Sequence, residues 1–182
     1  MVNLPYEREV EIVSLLASSL HRYEGRPEDG PRDAVEREQR ESIHFRAGLG
    51  IVGDRYFGAK AHVSASVTVL AIESLERVAA ELHTRALDPA DTRRNIVVRG
   101  LDIDGLRGAI LSIDTGSGAV VLRVNRPANP CAWMDVTLAP GAFRALRGRG
   151  GMRCQPLTDG SISVGPAIVR SSLPLGGAVA LF

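Results

Sequence analysis

The chain contains few of the residue types that most directly reveal a protein's function. Two of its 182 residues are cysteine, one is lysine, and aromatic residues make up 4%. Two cysteines cannot form a disulfide framework, and no apolar run approaches the roughly 20 residues of a transmembrane helix. The acidic amino-terminal segment also lacks the apolar core of a secretory signal. We therefore expect a cytoplasmic protein without a membrane partner.

Nucleic acid is not favoured as a partner either, because the net charge is only +1 and few aromatic side chains are available for stacking. The charge is nevertheless uneven. Residues 1–90 carry 11 basic and 15 acidic residues, whereas residues 91–182 carry 11 and 6. All basic residues except Lys60 are arginines, whose planar fork suits bidentate binding of phosphate or carboxylate. Biased codon usage would explain that ratio equally well, so the positions of the arginines are more informative than their number.

Short apolar runs separated by glycine and proline predict a mainly β structure. The spacing i, i+3, i+4, i+7 from Leu75 to Leu82 predicts one long helix, and Phe143 and Leu146 allow a short one. Strands are predicted at residues 10–19, 63–69, 95–98, 109–113, 120–124, 152–157, 161–164 and 167–169. So many short strands with one long helix favour a closed or nearly closed β-barrel, with a few short helices, over a βαβ fold.

We predict a single domain over residues 1–182. Residues 24–40 are mostly charged residues, proline and glycine, so they predict a long exposed excursion that is partly mobile. The turn at residues 114–118 is expected to join two strands, and Asp159-Gly160 is expected to join the last long pair into a hairpin.

Residues 50–58 form the first of three segments that could carry chemistry. The segment is rich in glycine and contains Asp54 and Arg55. Its backbone can therefore approach an anion closely and direct hydrogen-bond donors at it. It lacks the Gly-Lys-Ser/Thr ending of a P-loop and the spacing of a dinucleotide-binding loop. A loop held by an internal Asp54–Arg55 pair is the alternative interpretation.

Arg93, Arg94 and Asn95 form the second segment, where a predicted loop meets a strand. The two guanidinium groups could clamp a phosphate or a polycarboxylate, while Asn95 could bind an amide-like edge. If both arginines are extended, only one can face a given cavity, because adjacent strand residues point to opposite faces. A solvated charged pair is the alternative.

Arg126 and Cys131 belong to the third segment, which directly follows a predicted strand. Neighbouring arginines would favour the thiolate form of Cys131, the form that ligates metal or attacks sulfur. A small buried apolar cysteine is the alternative. Cys154 lies inside a predicted strand and is expected to be structural. The four histidines are scattered along the chain, so a zinc site has little support.

Taken together and in this order, the three segments resemble the MOSC domain family, named for the carboxyl-terminal domain of molybdenum cofactor sulfurases. Each matching piece is weak alone, but four pieces in the right order make the resemblance specific. It covers about residues 10 to 170 and is closest to the small stand-alone bacterial form. The pieces are Gly50–Arg55, Arg93–Asp102, Arg126-Pro127 with Pro130-Cys131, and Arg149–Gly151 with Asp159–Gly165.

The resemblance implies a MOSC-type β-barrel that binds the molybdenum cofactor, a pterin carrying a phosphate and a dithiolene-bound metal. Cys131 would be the catalytic residue and the protein ligand to molybdenum, or else the carrier of a persulfide; thiolate is a soft donor suited to such a metal. The implied cofactor-binding residues are Asp54, Arg55, Arg93, Arg94, Asn95 and Arg126.

Two departures from the family pattern are visible. Relatives often have histidine after Gly-Asp-Arg, where this chain has Tyr56. Many relatives also carry a second cysteine shortly before the ligand cysteine, where this chain has Ala128 and Asn129. A local cysteine pair for redox chemistry is therefore missing.

Three functions follow from the resemblance. The first is a molybdenum-dependent oxidoreductase that reduces small N-hydroxylated compounds with electrons from a separate donor protein. The second is a carrier of the molybdenum cofactor or of persulfide sulfur on Cys131, loaded by a cysteine desulfurase. The third is a non-catalytic barrel that binds an anion or a cofactor.

Overall fold

A computed structural model describes residues 2–34 and 36–176, in which a closed seven-stranded β-barrel forms the centre of the fold. Around the barrel the strands run in the order β1-β10-β6-β7-β8-β4-β5, and β3-β2-β9 form a separate three-stranded sheet. The strands are β1 (Tyr6–Leu15), β2 (Ser42–Arg46), β3 (Gly50–Ile51), β4 (Val67–Ala71), β5 (Ile96–Arg99), β6 (Ile110–Asp114), β7 (Ala119–Pro127), β8 (Met152–Pro156), β9 (Gly160–Ser163) and β10 (Gly165–Ser171). The mainly β barrel expected from the sequence is confirmed.

Helices are few and, with one exception, short. The helices are α1 (Ile72–Glu81), α2 (Trp133–Thr137) and α3 (Ala142–Ala145), and 3-10 turns occur at Pro27–Asp29, Lys60–Ala65, Pro89–Thr92 and Asp104–Leu106. Asp88 caps the turn Pro89–Thr92, since its carboxylate accepts a hydrogen bond from the Ala90 N–H at 2.9 Å. None of the helices in the described residues is long and apolar enough to cross a membrane.

The barrel has two hydrophobic layers, one inside and one against α1. Inward-facing residues such as Ile12, Leu111 and Leu122 fill the interior. Leu75 and Val78 of α1 pack on the outer face of β4 and β5 together with Trp133. Because both of its faces are covered, all five residues of β4 are buried. The helix connects β4 to β5, the one parallel pair in the barrel, and so places the start of β5 beside β4.

Two expectations about the strands are wrong. The alternation at residues 63–69 predicted a strand, but the 3-10 turn Lys60–Ala65 occupies the first three of these residues and β4 begins only at Val67. The Asn125 side chain holds that turn by donating to the Ser64 carbonyl at 2.7 Å. The predicted hairpin between β8 and β9 does not form, because β7 and β4 already occupy both edges of β8. Strand β9 pairs with β2 instead.

Smaller differences lie at the element boundaries. Strand β1 begins at Tyr6 and ends at Leu15, four residues earlier at each end than residues 10–19. Helix α2 was not expected. The polar segment 24–40 contains only one short turn, and most of its described side chains are exposed, but Glu38 is buried. A single domain over residues 1–182 stays a prediction.

Gly150 and Gly151 immediately precede β8; Gly150 packs against the loop that follows β7 and Gly151 against β4, and neither position accommodates a side chain. A Cβ at Gly150 would lie 2.6 Å from the Ala128 carbonyl oxygen, and a Cβ at Gly151 would overlap the Val69 carbonyl oxygen. Gly151 also has φ +86°, a left-handed conformation that disfavours residues with a Cβ. The two glycines therefore allow this backbone to lie directly against its neighbours.

We predict that Gly151→Ala destabilises the fold by about 2–4 kcal/mol, since it combines backbone strain with a steric overlap that only a backbone shift relieves. Gly148→Ala is the matched control. Gly148 has φ +77°, but nothing lies within 4 Å of its Cβ position, so only the backbone cost of about 1–2 kcal/mol applies. Denaturant unfolding measures both free energies. Equal losses of stability would contradict the packing argument.

Candidate functional site

Arginines dominate a cavity of about 170 Å³ at one end of the barrel, which we call the arginine cavity. Five of its lining residues are arginines and none is an aspartate or glutamate. Loops after β3 and β7, the turn before β5 and strand β8 all contribute side chains. The lining residues are His21, Arg22, Tyr23, Arg55, Tyr56, Thr92, Arg93, Arg94, Asn129, Cys131, Trp133, Met134 and Arg153. Such a wall suits an anionic ligand.

Arg94 links the loops that surround the cavity. Its guanidinium donates to the carbonyls of Gly150 at 2.9 Å, Ala128 at 2.7 Å and Thr92 at 3.3 Å. Burial, followed by the nearby charge of Arg153, lowers the pKa of Arg94 to about 10, so the side chain remains a cation at neutral pH. Arg94 therefore contributes a fixed positive charge beside the loop that carries Cys131.

Arg55 has hydrogen-bonding capacity that the protein does not use. Its Nε and Nη1 atoms are buried and have no hydrogen-bond partner in the described part of the chain. The guanidinium carbon lies 4.6 Å from the centre of the Tyr56 ring, which supports the cation through its π-face. Buried donors are normally paired, and an unpaired charged donor is costly. An anion that reaches these two atoms from the cavity, which Arg55 lines, would remove that cost.

Arg93 lines the same cavity because its backbone departs from the extended conformation. At φ +59° and ψ 25° it is left-handed, so the alternation of side chains expected for two extended arginines does not apply. Its guanidinium donates to Glu38 at 2.5 Å and to the Leu20 carbonyl at 3.2 Å. Unlike Arg55, Arg93 is thus paired within the protein.

Asp54 and Asn95 are buried next to the cavity and are not among its lining residues. The Asn95 amide donates to the Asp54 carboxylate at 3.1 Å and to the Leu16 carbonyl at 3.1 Å. Its oxygen accepts from the Thr68 N–H and hydroxyl, both at 2.9 Å. Asp54 also accepts from the Tyr56 N–H at 3.0 Å. The two side chains use their polar groups on each other and on the backbone, so they position the Asp54 loop. No Asp54–Arg55 ion pair occurs in the described residues.

The two cysteines lie in opposite environments. Cys131 is exposed in the loop between β7 and α2, and it lines the arginine cavity. Cys154 on β8 is fully buried, and burial raises the pKa of its thiol to about 12. Arg126 is exposed on β7, opposite Arg153 in the strand pairing, and is not among the lining residues. No group of three or more His, Cys, Asp or Glu side chains in the described ranges is arranged to hold a metal ion.

A larger cavity, of about 610 Å³, lies near the first turns of α1. Its lining includes Glu73, Asp102 and Asp104 and none of the residues predicted from the sequence. Burial raises the pKa of Asp104 to about 6, and its carboxylate accepts from the Gly151 N–H at 3.0 Å. This cavity contains no cysteine and no excess of cations, so we assign the candidate site to the smaller arginine cavity.

The structure thus brings Arg55, Arg93, Arg94 and Cys131 to one cavity although they are distant in sequence. Sequence reasoning missed Arg153, Tyr23, Arg22 and Glu38. Tyr23, Arg22 and Glu38 lie in or next to the polar excursion, and its composition does not indicate that any of its side chains makes a defined contact with the barrel. Arg153 alternates with the buried Met152 and Cys154, a pattern that places its side chain on the other face of β8.

Solved structures similar to this chain share its barrel architecture. The YuaD protein from Bacillus subtilis aligns with a TM-score of 0.69 at 19% identity, over 92% of this chain and 98% of its own. YiiM from Geobacillus stearothermophilus gives 0.59 at 15% identity, over 88% of this chain and 74% of its own. YiiM from Escherichia coli gives 0.57 at 17% identity, over 91% and 70%. At these identities the similarity defines a class of fold.

The family follows from the sequence model that matches residues 41–169, which describes the MOSC domain. This chain belongs to the MOSC domain family. A search of curated protein sequences gives no match. The matched range includes the Gly-Asp-Arg loop, the Arg93-Arg94-Asn95 segment and Cys131.

We expect the two cysteines to differ in reactivity. Iodoacetamide should label Cys131 in the native protein because its side chain is exposed, whereas Cys154 should react only after unfolding because its thiol is buried and protonated. Mass spectrometry of intact and digested protein measures both sites. Cys131→Ser should show no native-state labelling. Labelling of Cys154 before Cys131 would show that the assignment is wrong.

Proposed function

We propose that this MOSC-domain protein holds the molybdenum cofactor, with its anionic end in the arginine cavity, and reduces N-hydroxylated compounds with electrons from a separate donor protein. One observation carries the proposal. An exposed cysteine lines a cavity together with five arginines, and one of these, Arg55, has two buried donor atoms without a partner among the described residues. This combination offers a soft ligand for a metal beside donors for an anion.

The residues present fit the chemistry of that cofactor. Unpaired guanidinium donors suit its phosphate, and the thiolate of Cys131 suits molybdenum. The cavity has a volume of about 170 Å³, which accommodates a phosphate-sized group. Sites for whole small molecules usually have volumes of about 300 Å³ or more. We therefore assign only the anionic end of the cofactor to the arginine cavity.

The reduction breaks the N–O bond of an N–OH group. The substrate gains two electrons and two protons, and an N–H product and water result. When bound, the cofactor supplies oxygen-atom transfer, which no side chain of this chain provides. Electrons come from the donor protein and protons from solvent.

The chain itself contributes binding and orientation. Arg55 binds the anionic group, and Arg94 holds the Ala128 carbonyl three residues before Cys131. This contact fixes the loop that presents the thiolate. The stacked rings of Tyr23 and Trp133, 5.1 Å apart, form an apolar section of the cavity wall that excludes water from one side.

Metal analysis tests this proposal directly. We expect molybdenum in anaerobically purified protein, together with turnover of an N-hydroxylated base in the presence of a chemically reduced viologen. Cys131→Ser should abolish turnover, because a serine hydroxyl does not supply a thiolate at neutral pH. Cys154→Ser is the matched control: it should retain turnover while losing about 1–3 kcal/mol of stability, since it buries a hydroxyl. Normal turnover by Cys131→Ser would place the chemistry elsewhere.

The exposure of Cys131 also favours a second candidate function, that of a sulfur carrier. A persulfide on an exposed cysteine is accessible to a desulfurase that donates sulfur and to an acceptor that takes it. Incubation with a cysteine desulfurase and cysteine should then add about 32 Da to Cys131, seen by mass spectrometry. The adduct without molybdenum or turnover would favour the carrier over the reductase.

Anion binding separates the roles of the arginines. Arg55→Ala should weaken binding of a phosphate monoester at least about tenfold, because it removes the unpaired donors, with little change in stability. Arg94→Ala should reduce both affinity and stability, since three backbone contacts are lost, and Arg94→Lys should lose less affinity because the charge remains. Calorimetry and thermal unfolding measure these effects. Arg123→Ala, at an exposed position on β7, is the control; an equal loss of affinity there would indicate nonspecific binding.

A further inference from the structure

Glu38 is the one carboxylate bonded to arginines of the cavity in the described ranges, and it comes from the polar excursion at residues 24–40. It is 9% exposed and does not itself line the cavity. One oxygen accepts from Arg93 at 2.5 Å and from Arg22 at 3.2 Å, and the other accepts from the Ser18 hydroxyl at 2.6 Å. Glu38 thus contacts Arg93 and Arg22 from within the protein and not from the cavity.

The contacts divide the five arginines into two groups. Arg93 and Arg22 share the single negative charge of Glu38, so half of their combined positive charge is compensated within the protein. Arg55, Arg94 and Arg153 have no carboxylate partner in the described part of the chain. A ligand in the cavity therefore meets fully uncompensated charge from Arg55, Arg94 and Arg153 and partly compensated charge from Arg93 and Arg22.

The ion pair persists at neutral pH. Burial alone would raise the pKa of the Glu38 carboxyl, but hydrogen bonds from Arg93 and Ser18 outweigh burial and hold the pKa below its ordinary value. Glu38 is therefore ionised whenever the site binds anions near neutrality. The backbone of Glu38 is held in place as well, because the Ala17 N–H donates to the Glu38 carbonyl at 3.0 Å.

We propose that Glu38 is a positioning residue that determines which anions the site accepts: by holding Arg93 and Arg22, it restricts the arginine cavity to a single phosphate-sized group and disfavours a diphosphate. The inference rests on the proposed anion binding, but it concerns selectivity and not binding itself. Without the Glu38 charge, two further guanidinium groups on the same wall would be available to a second phosphate.

The test compares binding of phosphate and pyrophosphate by calorimetry. In the unsubstituted protein we expect phosphate to bind at least as tightly as pyrophosphate. Glu38→Gln keeps the shape and two acceptor contacts but removes the charge, so the affinity for pyrophosphate relative to phosphate should rise by about tenfold. Glu36→Gln is the matched control. Glu36 lies in the same excursion and contacts Ser19 and Arg40, so the ratio should not change.

A double variant keeps the inference testable if Glu38→Gln leaves Arg93 buried without a counterion and lowers stability. Glu38→Gln with Arg93→Gln removes both charges, and it should return the ratio of affinities most of the way to that of the unsubstituted protein. If the role of Glu38 were purely structural, Glu38→Gln would weaken the binding of both anions equally and leave the ratio of their affinities unchanged. An unchanged ratio in Glu38→Gln therefore overturns the inference. Failure of the unsubstituted protein to bind either anion would overturn the proposed function as well.

Discussion

The hydrogen bonds of the Asn95 side chain are the interaction on which the relative positions of the site's loops depend. Its amide joins β4 through Thr68, the residue after β1 through the Leu16 carbonyl, and the loop after β3 through Asp54. All three connections are buried, where a lost partner costs about 1–3 kcal/mol. Because Asn95 immediately precedes β5 and follows Arg94, these contacts also hold the backbone that carries the arginines.

Much of the fold could be predicted from the sequence because it depends on local patterns. The spacing of Leu75, Val78 and Leu82 is that of a helix with one apolar face, and α1 is found there. The partners of the strands could not be predicted in the same way. Whether β9 pairs with β8 or with β2 depends on which edges other strands occupy, and local alternation contains no information about that.

The candidate site shows a similar division. Glycine and proline at strand ends identified the loops of Arg55, Arg94 and Cys131, since loops are where functional groups accumulate. The roles of individual side chains were less predictable. The contact of Asn95 with Asp54 and the contact of Arg93 with Glu38 each join residues more than 40 positions apart in the sequence. Glu38 is an extreme case, because nothing in a polar segment distinguishes a buried carboxylate from its exposed neighbours.

The three carbonyl contacts of Arg94 have a thermodynamic consequence for any anion that enters the cavity. An arginine that is free in solvent loses roughly 2 kcal/mol of rotamer entropy when a ligand immobilises it. Arg94 has already lost that freedom during folding, because the backbone at Gly150, Ala128 and Thr92 holds its guanidinium in place. Its charge is thus preorganised, and association with an anion requires little further ordering of this side chain.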